Sequence, residues 1–105
     1  MKYSMAKTIV WSESAKIDLI AIKAFFDNRN KSSIYSTKLL KTIRNSARLI
    51  EKYPDAGIDT NIVGLQGLIA GNYILFFRHK ENYILILTVW DSRRNPEQLE
   101  SILRR

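Results

Sequence analysis

At 105 residues the chain has room for one domain, and a chain of this size buries roughly two thirds of its unfolded surface, enough for one real core. Hydrophobic residues make up 46% of it, a globular rather than a disordered composition. Seventeen Lys and Arg against ten Asp and Glu leave a formal charge of +7 and a pI near 9.9. That balance fits a polyanionic partner (RNA, DNA or an acidic protein) without choosing among them. Cysteine is absent, which excludes disulfides, thiolate nucleophiles and Cys-based zinc sites. The longest apolar run, residues 83–90, is too short to span a bilayer. Glu13, Lys16 and Asp18 interrupt any apolar run near the N-terminus, so no secretory signal is expected there and a cytoplasmic location is.

Residues 9–11 read as a short strand, and Ser12 or Ser14 as the cap of a helix. Ala15, Leu19, Ile22 and Phe26 recur at helical spacing, an apolar face that Ile20 and Phe25 widen. Residues 27–31 (DNRNK) form a polar turn. A second helix carries Ser36, Leu40, Ile43, Ala47 and Ile50 at the same period, and Tyr53-Pro54 ends it. The two helices make an αα-hairpin. From Asp55 onward, Gly57, Gly64, Gly67 and Gly71 punctuate a β-rich region. Residues 65–70 read as a weak strand and a candidate sheet edge, 73–78 (YILFFR) and 83–90 (YILILTVW) as strong ones, with Lys80-Glu81-Asn82 turning between them. The last is apolar throughout but for Thr88, so it belongs in the middle of the sheet. Asn95-Pro96-Glu97-Gln98 opens a short helix through a capping box. The expected fold is α+β, in the order β-α-α-β-β-β-α: a small antiparallel sheet with the helical hairpin on one face and a short C-terminal helix. Neither a repeat nor a linker divides it, so residues 1–105 are read as a single domain.

Several stretches, taken in order, resemble the RelE/ParE superfamily of type II toxins over roughly residues 8–103. They are the opening Ile9-Val10-Trp11-Ser12 with Ala15, Asp18, Leu19 and Ile22, then Ile50, Tyr53-Pro54 and Gly57. Gly71-Asn72-Tyr73 leads into the two strong strands, and Asp91-Ser92-Arg93-Arg94-Asn95-Pro96 follows them. A hydrophobic strand running into D-x-R-x-N-P-x-x-L is similar to the ParE-like branch. The resemblance implies a toxin neutralised by a cognate antitoxin as a hetero-oligomer, growth inhibition and plasmid stabilisation. It also implies a target, which is DNA gyrase in some members and mRNA on the ribosome in others; some relatives have lost toxicity. The mRNA-cleaving branch typically has an Arg after its Gly-x-Tyr step and a Tyr near its C-terminus. This chain has Ile74 at the first place and no tyrosine after Tyr83.

The residues that carry chemistry are basic. Arg93 and Arg94 follow the last strand, placed to hold phosphate or a partner's carboxylate, or else to pair with Asp91, Glu97 or Glu100. Arg93 occupies the matching motif position. Arg78, the lone histidine His79, and Lys80 cluster after the penultimate strand. An endonuclease would use Arg78, Lys80 and Arg93 on the phosphate and His79 for proton transfer; otherwise His79 is a solvated turn residue. Lys41, Arg44, Arg48 and Lys52 line one side of the second helix, a landing strip for nucleic acid or an acidic antitoxin, or a solvated face. No Gly-rich phosphate loop, HExxH or G-x-S-x-G occurs, and no metal or cofactor is expected. The leading expectation is a gyrase-directed toxin. A metal-independent, ribosome-dependent mRNA endonuclease and a non-toxic antitoxin-binding relative are the alternatives.

Overall fold

The computed structural model describes residues 7–94 together with Leu99 and Leu103. Strand β1 (Thr8–Trp11) leads into helix α1 (Glu13–Asn30), which turns back as α2 (Ile34–Lys52). A 3₁₀ turn (Pro54–Ala56) and four strands follow: β2 (Ile58–Asp59), β3 (Gln66–Ala70), β4 (Tyr73–His79) and β5 (Tyr83–Asp91). No helix among these residues is long and apolar enough to cross a membrane.

The two helices follow from local rules. The Ser12 hydroxyl accepts a hydrogen bond from the Ala15 N–H at 3.0 Å, the N-cap of α1. The helix runs through most of the expected polar turn and stops at Lys31, which takes the left-handed conformation at φ 53°. On α2 the five residues at helical period, Ser36, Leu40, Ile43, Ala47 and Ile50, are all buried, and Pro54 follows the last turn. On α1 the apolar face is narrower than its sequence suggests. Ala15 is buried and Leu19 and Ile22 pack on the core, but Ile20 and Phe25 are 69% and 57% exposed. Asp27 ties the hairpin together by accepting from Lys23 Nζ at 2.5 Å and from the Ser36 hydroxyl.

The strands form one sheet in the order β1-β5-β4-β3-β2. It is mixed rather than purely antiparallel, because β1 pairs parallel with β5 in the register Ile9↔Ile84 and Trp11↔Ile86. A parallel neighbour requires a crossover, and here the helical hairpin forms part of the connection. β5 lies inside the sheet between β1 and β4, as its apolar run demands, and β4 is the middle strand. The edge beyond β3 is filled in part by the two-residue β2, too short to carry a strand signature. Two cores flank the sheet. The helices cover Tyr73, Leu75, Phe77, Ile84, Ile86 and Val89; on the far face Leu65, Phe76 and Trp90 pack with Leu99 and Leu103. The capping box expected at Asn95–Gln98 lies outside the described residues, as does the body of the helix it would open.

One irregularity in β5 positions everything that follows. Phe77 pairs with Ile86, but Phe76 pairs with Thr88, so Leu87 is an extra residue, a β-bulge. A bulge resets the alternation of side chains. Ile84 and Ile86 face the helices before it, and Val89 and Asp91 do so after it, while Trp90 turns to the opposite core.

Candidate functional site

The bulge, the end of α1 and the start of α2 enclose a groove of about 750 Å³. Ile22, Phe25 and Phe26 of α1 and Tyr35 of α2 make one wall. Asn72, Tyr73 and Val89 make its floor, and Arg29, Asp91, Arg93 and Arg94 its rim. Phe26 stands edge-on to both Phe25 and Tyr35, with ring centroids 4.9 Å apart in each pair. Edge-to-face contact holds the wall aromatics in place without burying them: Phe25 is 57% and Tyr35 47% exposed.

The acids of this region are committed to the fold. β1 stops beside Ile86 and leaves the end of β5 with an unpaired edge. The Ser12 hydroxyl donates to the Leu87 carbonyl at 2.8 Å, and Asp18 accepts from Val89 N–H and Thr88 Oγ1 at 2.9 and 2.7 Å. Buried backbone and hydroxyl groups are satisfied this way from α1, at a cost lower than leaving them unpaired. Asp91 accepts Arg93 Nε and Nη2 at 2.9 Å each, and the Arg93 backbone N–H as well. This fork-to-fork geometry is the strong form of the pair. The Arg93 hydrogen bonds hold the Asp91 carboxyl below its ordinary pKa, and Asp91 raises Arg93 in return. Burial, and then the Asp91 charge, push the Tyr73 phenol upward, so it stays a neutral hydroxyl at the groove floor.

What remains at the rim is cationic. Arg93 is oriented by Asp91 yet keeps its side chain 63% exposed. The Arg94 guanidinium lies over the Trp90 ring, 4.3 Å from its centroid. Arg29 has no ion-pair partner among the described residues. The local pairing weighed for Arg93 in the sequence is therefore present, and it aims the guanidinium rather than removing it from solvent.

The other basic residues lie elsewhere. Arg78, His79 and Lys80 sit at the opposite end of β4, because Tyr73 pairs with Asp91 while His79 pairs with Ile84. Six residues at about 3.4 Å each put the two ends about 20 Å apart. Arg78 Nη1 donates to the Val63 carbonyl at 3.0 Å. His79 Nε2 lies 3.1 Å from the Pro54 carbonyl oxygen, which only accepts, so Nε2 carries the proton. His79 is a half-buried strand residue with its ring edge-on to Phe77, not a solvated turn residue. Lys80 is exposed in the hairpin. Lys41, Arg44, Arg48 and Lys52 are all exposed along α2, Lys52 over the Tyr53 ring at 5.7 Å. Tyr35, Asn72 and Tyr73 are site residues that the sequence does not single out, and Phe25, to which the sequence offers either a stacking or a core role, stands open on the groove wall. Three of the four are aromatic or apolar enough to pass for core, and only the bulge and the turn at Lys31 bring them together.

A five-stranded mixed sheet with an α-hairpin on one face and a cationic, aromatic groove at one end defines the class, a small α+β domain. A solved structure described as "Chromosomal ParDE TA system from P. aeruginosa" has the same fold, with a TM-score of 0.75 at 21% identity over 84% of this chain and 98% of that one. No curated protein matches the chain. Residues 9–96 match the family described as the ParE toxin of the type II toxin-antitoxin system parDE. The chain belongs to the ParE toxin family.

Proposed function

We infer that the chain is the toxin of a ParDE-type pair, that a cognate antitoxin silences it, and that it inhibits growth by binding DNA gyrase. The layout of its cations carries the reading. An RNA-cleaving centre needs a base, an acid and phosphate donors within hydrogen-bond reach of one scissile bond. Arg93 stands about 20 Å from the Arg78–His79–Lys80 end, measured along the strand, and Arg78 and His79 are bonded to backbone carbonyls there. The groove offers no neutral-range acid–base group, only phenols, carboxylates engaged with other groups, and guanidinium groups. That chemistry suits binding. Aromatic walls give an anchor side chain a desolvated seat, and Arg29, Arg93 and Arg94 give its flanking carboxylates a partner. The helical hairpin and the arginine end meet there, so this is the surface assigned to target or antitoxin.

The test is induction of the chain alone in a bacterial host, with DNA and protein synthesis followed together by pulse labelling. DNA synthesis is expected to stop first, with double-strand breaks and intact mRNA. Protein synthesis stopping first would overturn the gyrase reading in favour of mRNA cleavage. Continued synthesis of both, with an antitoxin still bound tightly, would mark a non-toxic relative.

A further inference from the structure

We propose that the outer face of α2 binds the phosphate backbone of duplex DNA, without sequence preference and separately from the groove. Lys41, Arg44, Arg48 and Lys52 are all exposed. At 100° and 1.5 Å per residue they fall within an arc of about 80° along about 17 Å of helix. A neighbouring face of that helix, about 120° round from the stripe, is fixed to the sheet through Leu40, Ile43, Ala47 and Ile50, so the stripe is straight and rigid. Its charge is uncompensated. None of the three ion pairs among the described residues involves α2. The one acid of the helix, Glu51, is turned to the first strand, where it accepts the Ile9 N–H at 3.0 Å. Arg48 reaches only Asn45, at 3.5 Å.

Such a row of like charges repels itself, and a polyanion relieves that repulsion. Phosphates follow one another at about 3.4 Å of axis per strand, so the stripe spans several. Single strands are held by successive aromatic platforms between cations, whereas this line has one aromatic beside it, Tyr53 under Lys52 at its C-terminal end. Of the duplexes, B-DNA has a major groove about 12 Å wide that admits a convex helix. The A-form groove is deep and narrow. The proposal stands apart from the choice of gyrase as target: it concerns the toxin's own contact with DNA.

The experiment is fluorescence anisotropy of a labelled DNA duplex titrated with the full chain between about 50 and 200 mM salt. A slope of log K on log salt near −3 is expected, for three to four neutralised phosphates. Arg44→Gln with Arg48→Gln should weaken binding at least tenfold and reduce the slope by about two, with an unchanged circular dichroism spectrum because both sites are exposed. Lys16→Gln with Lys31→Asn removes the same charge off the stripe and should leave the slope intact. Equal losses from the two double variants would overturn the proposal, since net charge alone would then explain binding. So would competition by poly-glutamate as strong as by duplex, which would assign the face to an acidic protein, or tighter binding of single strands.

Discussion

At the Ile84 end of the β4–β5 hairpin, Arg78 and His79 donate to the carbonyls of Val63 and Pro54, locking a loop and a 3₁₀ turn to the sheet. At the Asp91 end the same kinds of side chain border an open groove. Arg93 is steered by a carboxylate but 63% exposed, and Arg94 is laid over Trp90. The two ends differ because of what the sheet does between them. A bulge at Leu87 turns Asp91 toward the helices and Trp90 away from them. One end is regular and closed by backbone, and the other is offset and left concave. A cluster of cations in a sequence says little about which end will be which; hydrogen-bond partners decide it.

The largest effect should come from removing what both ends stand on. Leu40 is 6% exposed and packs in the core between α2 and the sheet. Leu40→Asp puts an unpaired charge there, a change that costs several kcal/mol, about the whole stability of a small domain. We expect no cooperative thermal transition above room temperature and loss of groove and stripe functions together. A sigmoidal melt like that of the parent would refute the packing of α2 on the sheet.

Next come the two ends themselves, tested as a pair. Arg93→Ala should lower growth inhibition by about tenfold or more, as loss of a charged anchor does, with the melting temperature little changed. Arg78→Ala should do the reverse. It leaves the Val63 carbonyl without its donor and should cost about 1 kcal/mol in chemical denaturation, with growth inhibition intact. If Arg78→Ala abolished toxicity in a stably folded protein and Arg93→Ala did not, the functional and structural ends would have to be exchanged.

Much of this was legible beforehand, and the limits have physical causes. The α2 core face is legible residue by residue, because Ser36, Leu40, Ile43, Ala47 and Ile50 obey a single period. Ser12 and Pro54 announced their helix ends through local chemistry. The parallel pairing of β1 with β5 was not visible, since pairing partners are far apart in the chain and a four-residue strand fits either direction. The two residues of β2 carry no periodicity at all. The bulge is a property of register between strands, not of either strand's composition. Without it Val89 and Asp91 would be assigned to the wrong face, and the groove would not appear. Phe25 and Ile20 looked like core because apolar residues surround α1 on nearly every side. Which of them is covered depends on how far the hairpin leans over the sheet.

The smallest effect sharpens the comparison from the helical side. Asp27 joins α1 to α2 just behind the groove wall, and its hydrogen bonds, first from Lys23 and then from Ser36, hold its pKa below the ordinary value of 3.8. Asp91 at the rim is held low in the same direction by Arg93. A group whose pKa is lower when folded contributes stability that is complete above its unfolded value and lost as pH falls through the folded one. Both should therefore be silent from neutrality down to about pH 5, with weakening confined to lower pH. Because Asp27 is only half-buried, its share is small. Asp27→Asn should flatten the acid limb of the melting-temperature profile slightly and lower the neutral plateau by a degree or two, a change near the small end for single surface substitutions. Asp91→Asn should flatten the same limb but also release Arg93 from its fixed orientation, and so weaken growth inhibition. A variant at Asp27 that weakened inhibition as strongly would show that the hairpin junction, and not the arginine rim, governs what the groove holds.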